Sequence, residues 1–363
     1  MKLVVTQENL AKALGIVGRV AQSKTSLPVL NNILLKAENN RLLLAATNLE
    51  IAITEYIGAK VVREGAITIP SRLLVDYISN LPKSNVELEL TGNKLSIITD
   101  NYRSTMNGMS AEEFPALPEI DGATMLRIPT HVMKQAITQT ILTTSHDETR
   151  PILTGVYLHT HEKWLYMAAT DGYRLSEKRL LETDDGIAAV IPTQTLQDVA
   201  RVVPDDCDEV TLLFDSQQIR FRMNDIEITS RLIEGSFPDY RQLIPKKTEI
   251  QFVSKKDELT RITKVASLFA RESGGSITIK TDSVAGNVSI HSLASQLGEN
   301  TSEIQTNPSG DGSVTLNSRY LIEALGVTES VDIAFGFSGK LAPCVLRPVK
   351  GDDYTHIIMP LKS

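Results

Sequence analysis

At 363 residues the chain exceeds the length at which one hydrophobic core stops growing, so two or three domains are expected. A hydrophobic content of 42% with 22% charged residues excludes a disordered or low-complexity protein. A net charge of -7 excludes a protein that coats DNA with its whole surface, while 37 lysines and arginines leave room for a local basic face.

In chain order, a brief strand leads into a first helix marked by Leu10, Leu14 and Val17 at three- and four-residue spacing. Polar residues after Val5 come too early for a signal peptide, and no run of about 18 apolar residues exists to span a bilayer, so a cytoplasmic protein is expected. The strand-like LLLAATN, Leu42 to Asn48, returns 123 residues later as LYMAATD, Leu165 to Asp171. ITIPSRLLVDYI, Ile67 to Ile78, joins a β-rich stretch to an amphipathic helix. AVIPTQTLQDVA, Ala189 to Ala200, and VTLNSRYLIEAL, Val314 to Leu325, repeat it at spacings of 122 and 125 residues. Ser71, Thr193 and Ser318 occupy the expected N-cap positions. Alternating runs from Val86 (VELELTGNKLSIITD) and Val210 (VTLLFDSQQIRFRM) predict antiparallel hairpins. Second and third copies of the opening helix are marked by Val132 or Met133, Ala136, Ile137 and Ile141, and by Leu259, Ile262, Val265, Ala266 and Phe269, with Ser254 and Asp257 as a capping pair. The period predicts three α+β domains, 1–122, 123–247 and 248–363, each with two helices on one side of antiparallel sheet and about nine strands. The other faces of the first helices carry Lys12 and Arg19, Lys134, and Lys256, Arg261, Lys264 and Arg271. Solvated helix faces commonly carry such residues; their recurrence in all three thirds points to a shared, weakly basic surface.

Motifs for catalysis are absent: the sequence holds no GxxxxGK[ST], GxGxxG after a strand, HExxH or GxSxG. His159 and His161, with no third ligand near them, read as exposed turn histidines. Ser145-His146-Asp147 reads as a loop, because adjacent side chains cannot align as nucleophile, base and orienter. Cys207 and Cys344, far apart and outside any CxxC pair, suggest buried thiols. Three stretches remain. Asp171-Gly172 in AATDGYRLS, Ala168 to Ser176, is a turn signal that an ordinary hairpin would satisfy. GSFPDYRQLIP, Gly235 to Pro245, occupies the link between the second and third domains, and HIIMPLKS, His356 to Ser363, ends the chain on apolar residues that something must cover.

Together with TSLPVLNNILL, Thr25 to Leu35, these stretches and the period make the whole chain resemble the bacterial beta sliding clamp, the processivity subunit of the DNA polymerase III holoenzyme. The resemblance implies a non-catalytic ring without metal or cofactor: two copies joined head to tail, closing six similar domains around duplex DNA. It places Met106, Leu268 and Phe269 at the dimer interface, and Lys24, Arg72 and Arg150, with the loop from Asp147, towards DNA. A pocket for linear motifs of the polymerase, the clamp loader and other clients is implied at Leu153, Thr170, Gly172, Tyr173, Arg174, Leu175, Pro238, Gln242, Leu243, Pro343, Met359, Pro360 and Leu361. Tyr173 and Gln242 depart from the family's usual histidine and arginine, which bears on pocket polarity and partner preference. A paralogue serving repair or a plasmid would share all of these features, and a hydrolase on a repeated α+β scaffold would require the missing motifs.

Overall fold

Apolar spacing of 3.6 and 2 residues along the chain becomes six α-helices and a set of antiparallel strands in the computed structural model, which describes residues 1–22, 27–120, 124–295, 298–351 and 353–362. Lys24, the start of TSLPVLNNILL and the expected 122/123 boundary lie outside the described residues. The helices are α1 (Gln7–Val17), α2 (Ser71–Ser79), α3 (Thr130–Thr140), α4 (Thr193–Val202), α5 (Lys256–Phe269) and α6 (Ser318–Val327). The chain gathers into two compact units, Met1–Thr130 with Gln197–Leu232, and His131–Leu196 with Ile233–Ser363.

In the first unit, α1 packs against α2 and onto strands Arg41–Thr47 and Ile51–Gly58, burying Leu10, Leu14 and Val17. An eight-stranded sheet runs through this unit because Ile51–Gly58 pairs with Ile226–Arg231, Ile51 facing Ser230. A five-stranded sheet ends on the edge strand Arg103–Asn107. The second unit repeats the scheme. Its eight-stranded sheet is joined where Arg174–Glu182 pairs with Tyr354–Ile358, and its four-stranded sheet ends on the edge strand Gly298–Gln305, against which α5 packs. The apolar tail is covered because Tyr354–Ile358 is an interior strand, buried along its whole length. Both cysteines are free and buried.

The helix starts correct the sequence reading by one residue. Each repeat strand runs straight into its helix, so the last strand residue is the flanking one: Pro70 precedes α2, and Asn317 caps α6 by accepting the Arg319 N–H at 2.9 Å. Ser71 and Ser318 are buried first-turn residues, and Thr193 donates to the Thr154 carbonyl at 2.6 Å. Ser254 is likewise no cap. It is buried and donates to the Lys255 carbonyl, and Asp257 instead places a carboxylate in the first turn of α5, where the helix dipole favours it. Arg19 and Arg271 lie beyond the ends of α1 and α5 rather than on their faces. Asn317→Ala is expected to lower stability by about 1 kcal/mol, read as a lower urea midpoint; an unchanged midpoint would return the cap to Ser318.

Candidate functional site

The hairpin Trp164–Thr170 to Arg174–Glu182 is closed by side-chain bonds that the sequence dictates locally. Asp171 Oδ1 accepts the N–H groups of Tyr173 and Arg174 at 2.9 and 3.0 Å, the turn that aspartate favours. Thr170 Oγ1 donates to the Arg174 carbonyl at 2.7 Å and accepts from the Gly172 N–H at 3.1 Å. Gly172 sits at φ +91°, which glycine adopts without steric cost. The loop then takes hold of the chain's end: strand pairing sets Arg174 opposite Ile358, and the Met359 N–H donates to the Tyr173 carbonyl at 2.8 Å. Leu361 is fixed in turn by its N–H on the Thr315 carbonyl at 2.8 Å.

Arg174 braces this junction from inside. Its side chain is 8% exposed, donates Nε to Asp171 Oδ2 at 3.0 Å and Nη1 to Glu323, and stacks over the Tyr320 ring at 4.4 Å. Burial works against a charged Glu323, but the hydrogen bonds from Arg174 and Arg319 outweigh it and hold the carboxyl below the usual glutamate range. Arg174 therefore contributes to the site as a buried brace, its charge met by two carboxylates.

The Gly235–Pro245 connector is pinned by its aromatics. Phe237 stacks on Tyr157 with centroids 4.9 Å apart, and Tyr240 is 2% exposed. Tyr240 packs with Ala168, Leu175, Val345 and Ile357, and donates its hydroxyl to Glu177 Oε2 at 2.5 Å. His159 Nε2 lies 2.7 Å from the Tyr240 oxygen, so with that hydroxyl donated to Glu177 the imidazole supplies the proton. His159 is thus buried, stacked against Tyr157 and Tyr166, which corrects its reading as an exposed turn histidine. His161 remains exposed. Burial first, and the Arg241 guanidinium second, push His159 down to about 4. With Phe237 and Tyr240 turned inward, Pro238, Gln242 and Leu243 face out, Leu243 being 53% exposed.

Tyr173 is exposed at 63%, and Met359, Pro360 and Leu361 beyond it are half-buried. Pro343, half-buried, precedes the strand whose Cys344 pairs with Ile358. Leu153 and Leu175 are buried, 7% and 3% exposed, Leu175 in the apolar cluster with Tyr240 and Ile357. Glu177, Tyr240, Tyr320 and Glu323 brace these segments and were missed by sequence reasoning, although Tyr240 lay inside a motif it had marked; Asp171 it had marked as a turn residue. Elsewhere, Arg72 is fully out on α2, 4.0 Å from Asp76, and Arg150 is exposed with Nε 3.3 Å from Asp147. Met106 is buried on its own edge strand, Leu268 is 52% exposed and Phe269 is half-buried.

Three family models match the chain: DNA polymerase III beta subunit N-terminal domain over residues 1–118, central domain over 127–239 and C-terminal domain over 241–362. Curated relatives include the "Beta sliding clamp" of Staphylococcus epidermidis, 28% identical over all of both chains. That of Synechocystis is 29% identical over 100% of this chain and 99% of its own. Among solved structures, the DNA polymerase sliding clamp of Bacillus subtilis superposes with a TM-score of 0.95 at 26% identity, over 100% of this chain and 99% of that one. The Pseudomonas aeruginosa sliding clamp bound to griselimycin gives 0.95 at 25% identity over all of both chains.

Two buried histidines give the unit a predictable acid response. His356, fully buried, is pushed down to about 3 by burial first and by Arg174 second, and His159 to about 4, against 6.5 for the unfolded side chain. The unfolded state binds more protons between these values, so this stability is complete above about pH 6.5 and lost as pH falls towards 4. Thermal unfolding is expected to show a falling midpoint across that window and a shallower fall in His159→Gln; identical slopes would contradict it.

Proposed function

The chain belongs to the DNA polymerase III beta subunit family and is a DNA sliding clamp that confers processivity; from that premise we propose that its hairpin–tail surface is the docking pocket for client peptides. The bond from Met359 N–H to the Tyr173 carbonyl carries this reading, because it seats the apolar end of the chain beside an exposed aromatic. Leucine, proline and adaptable methionine suit a surface that accepts several partners, and the polar connector rim supplies hydrogen bonds. Tyr173 and Gln242 tune that rim. The clients in this reading are linear motifs of the polymerase, the clamp loader and other replication proteins, and the protein acts in the cytoplasm without chemistry of its own.

Closure of the ring by a second copy is part of the same proposal. Each unit supports it with an open sheet edge, Arg103–Asn107 in one and Gly298–Gln305 in the other, and the second carries the exposed Leu268 beside it. An unpaired edge strand is a template for another chain's strand, and a head-to-tail contact that closes makes a ring. Weak contacts to phosphates, from Arg72 and Arg150 and from Lys12, Arg261 and Lys264 on exposed helix positions, permit sliding, while topology retains the clamp. Bound polymerase then gains effective concentration at the primer end.

Leu243→Asp is expected to weaken binding of a polymerase-derived clamp-binding peptide at least about tenfold, as is usual for loss of an apolar anchor, with the circular dichroism unchanged. Met359→Ala is expected to weaken it less. Full affinity in both variants, measured by fluorescence anisotropy, would overturn the pocket assignment. Leu175→Ala is a poorer probe, since emptying a buried leucine site costs about 2–5 kcal/mol of stability.

A further inference from the structure

The loop that builds the pocket occurs twice in this chain. In the first unit the hairpin Arg41–Thr47 to Ile51–Gly58 is closed by Asn48 Oδ1, which accepts the N–H groups of Glu50 and Ile51 at 3.0 and 2.8 Å. Thr47 Oγ1 donates to the Ile51 carbonyl at 3.0 Å and accepts from the Leu49 N–H at 3.0 Å. These are the bonds that Asp171 and Thr170 make in the second unit, position for position. The closing contact recurs as well: the Arg231 N–H donates to the Glu50 carbonyl at 3.0 Å, as Met359 does to Tyr173. Beneath the loop, Val29, Leu30, Leu34, Ala45 and Phe114 form an apolar floor, as Ala168, Leu175, Tyr240, Val345 and Ile357 do beneath the other.

Two differences give the copy its character. Leu49 stands where Gly172 does, at φ +76°, a conformation that costs a leucine energy. There the loop presents an apolar side chain, 49% exposed, at its tip. Leu27, also 49% exposed, takes the place of Arg150, whose Nη1 would lie 3.9 Å from a Cβ on Gly172. Glu50 replaces Tyr173 and is exposed, as are Glu112 and Glu113 beside the buried Phe114; among the described residues nearby, Arg231 is exposed and the exposed Lys36 is paired with Glu38 at 2.7 Å. An apolar step with an acidic rim is complementary to an apolar anchor flanked by lysine or arginine.

We propose that this hairpin is a second docking surface, selecting a short extended peptide of a partner protein whose apolar anchor is flanked by basic residues. The inference rests on the pocket reading for its peptide class, and a separate variant tests each site. The probes are Lys-Ala-Leu-Leu-Lys-amide with fluorescein on its N-terminal α-amine in place of an acetyl cap, and its counterpart with glutamate in place of both lysines, titrated onto the full-length protein by anisotropy. Leu243→Asp reports on the first pocket; insensitivity of a polymerase-derived peptide to it would count against that pocket alone. In the Leu243→Asp background the basic probe is expected to bind still, to bind better than its acidic counterpart, and to lose at least about fivefold in affinity on Leu49→Gly, which removes the anchor and relieves the strain. Absence of binding in that background, binding indifferent to Leu49→Gly, or no preference for the basic probe would each overturn the proposal. Because glycine suits φ +76°, a misfolded variant is not expected, and a thermal midpoint no lower than that of the parent checks it.

Discussion

The antiparallel pairing of Arg174–Lys178 with Tyr354–Ile358 is the contact on which the site depends. It makes one eight-stranded sheet from strands far apart in sequence, and its register sets Arg174 opposite Ile358. Shifting it by one residue would turn Leu175 and Ile357 away from the apolar cluster they share with Tyr240. The same register delivers Met359 to the hairpin loop, where its N–H meets the Tyr173 carbonyl. Ile51–Glu55 and Ile226–Ser230 use the same device in the first unit.

Around that pairing, buried polar groups act as locks. Breaking a buried ion pair by removing one partner typically costs about 3–5 kcal/mol, because the other charge is stranded. Arg174 holds two carboxylates from different segments, and Lys178, 1% exposed, holds Asp353 at 2.5 Å at the far end of the strand pair. Tyr240 couples the connector to His159 and Glu177. Burial and the Glu177 charge both raise the tyrosine's pKa, so it remains a donor at any physiological pH. These networks hold the strands and the connector in place while Tyr173 and Gln242 stay exposed.

Sequence reasoning reached what local pattern controls. The period, the helices, the hairpins and the Asp171-Gly172 turn all follow from spacing and turn chemistry within a few residues. It failed where the deciding partner is remote. His159 meets Tyr240 across 81 residues of chain, and Arg174 meets Glu323 across 149, so neither burial is visible in its own neighbourhood. The helix starts failed for a different reason: a strand that enters a helix without a loop moves the flanking position back by one residue. Leu49 is instructive because AATN and AATD were recognised as repeats, yet the left-handed leucine that follows the first of them became apparent only from the backbone.

A ring that slides must be held on DNA by topology rather than by affinity, and retention on circular against linear DNA separates the two. Purified clamp would be placed on a nicked circular plasmid by its loader, isolated by gel filtration at moderate salt, and cut once with a restriction enzyme. The account predicts that clamp stays with the circle, largely indifferent to salt, and runs off within minutes of linearisation. Salt-sensitive loss from the circle, or equal retention after the cut, would show binding by charge alone and contradict encirclement.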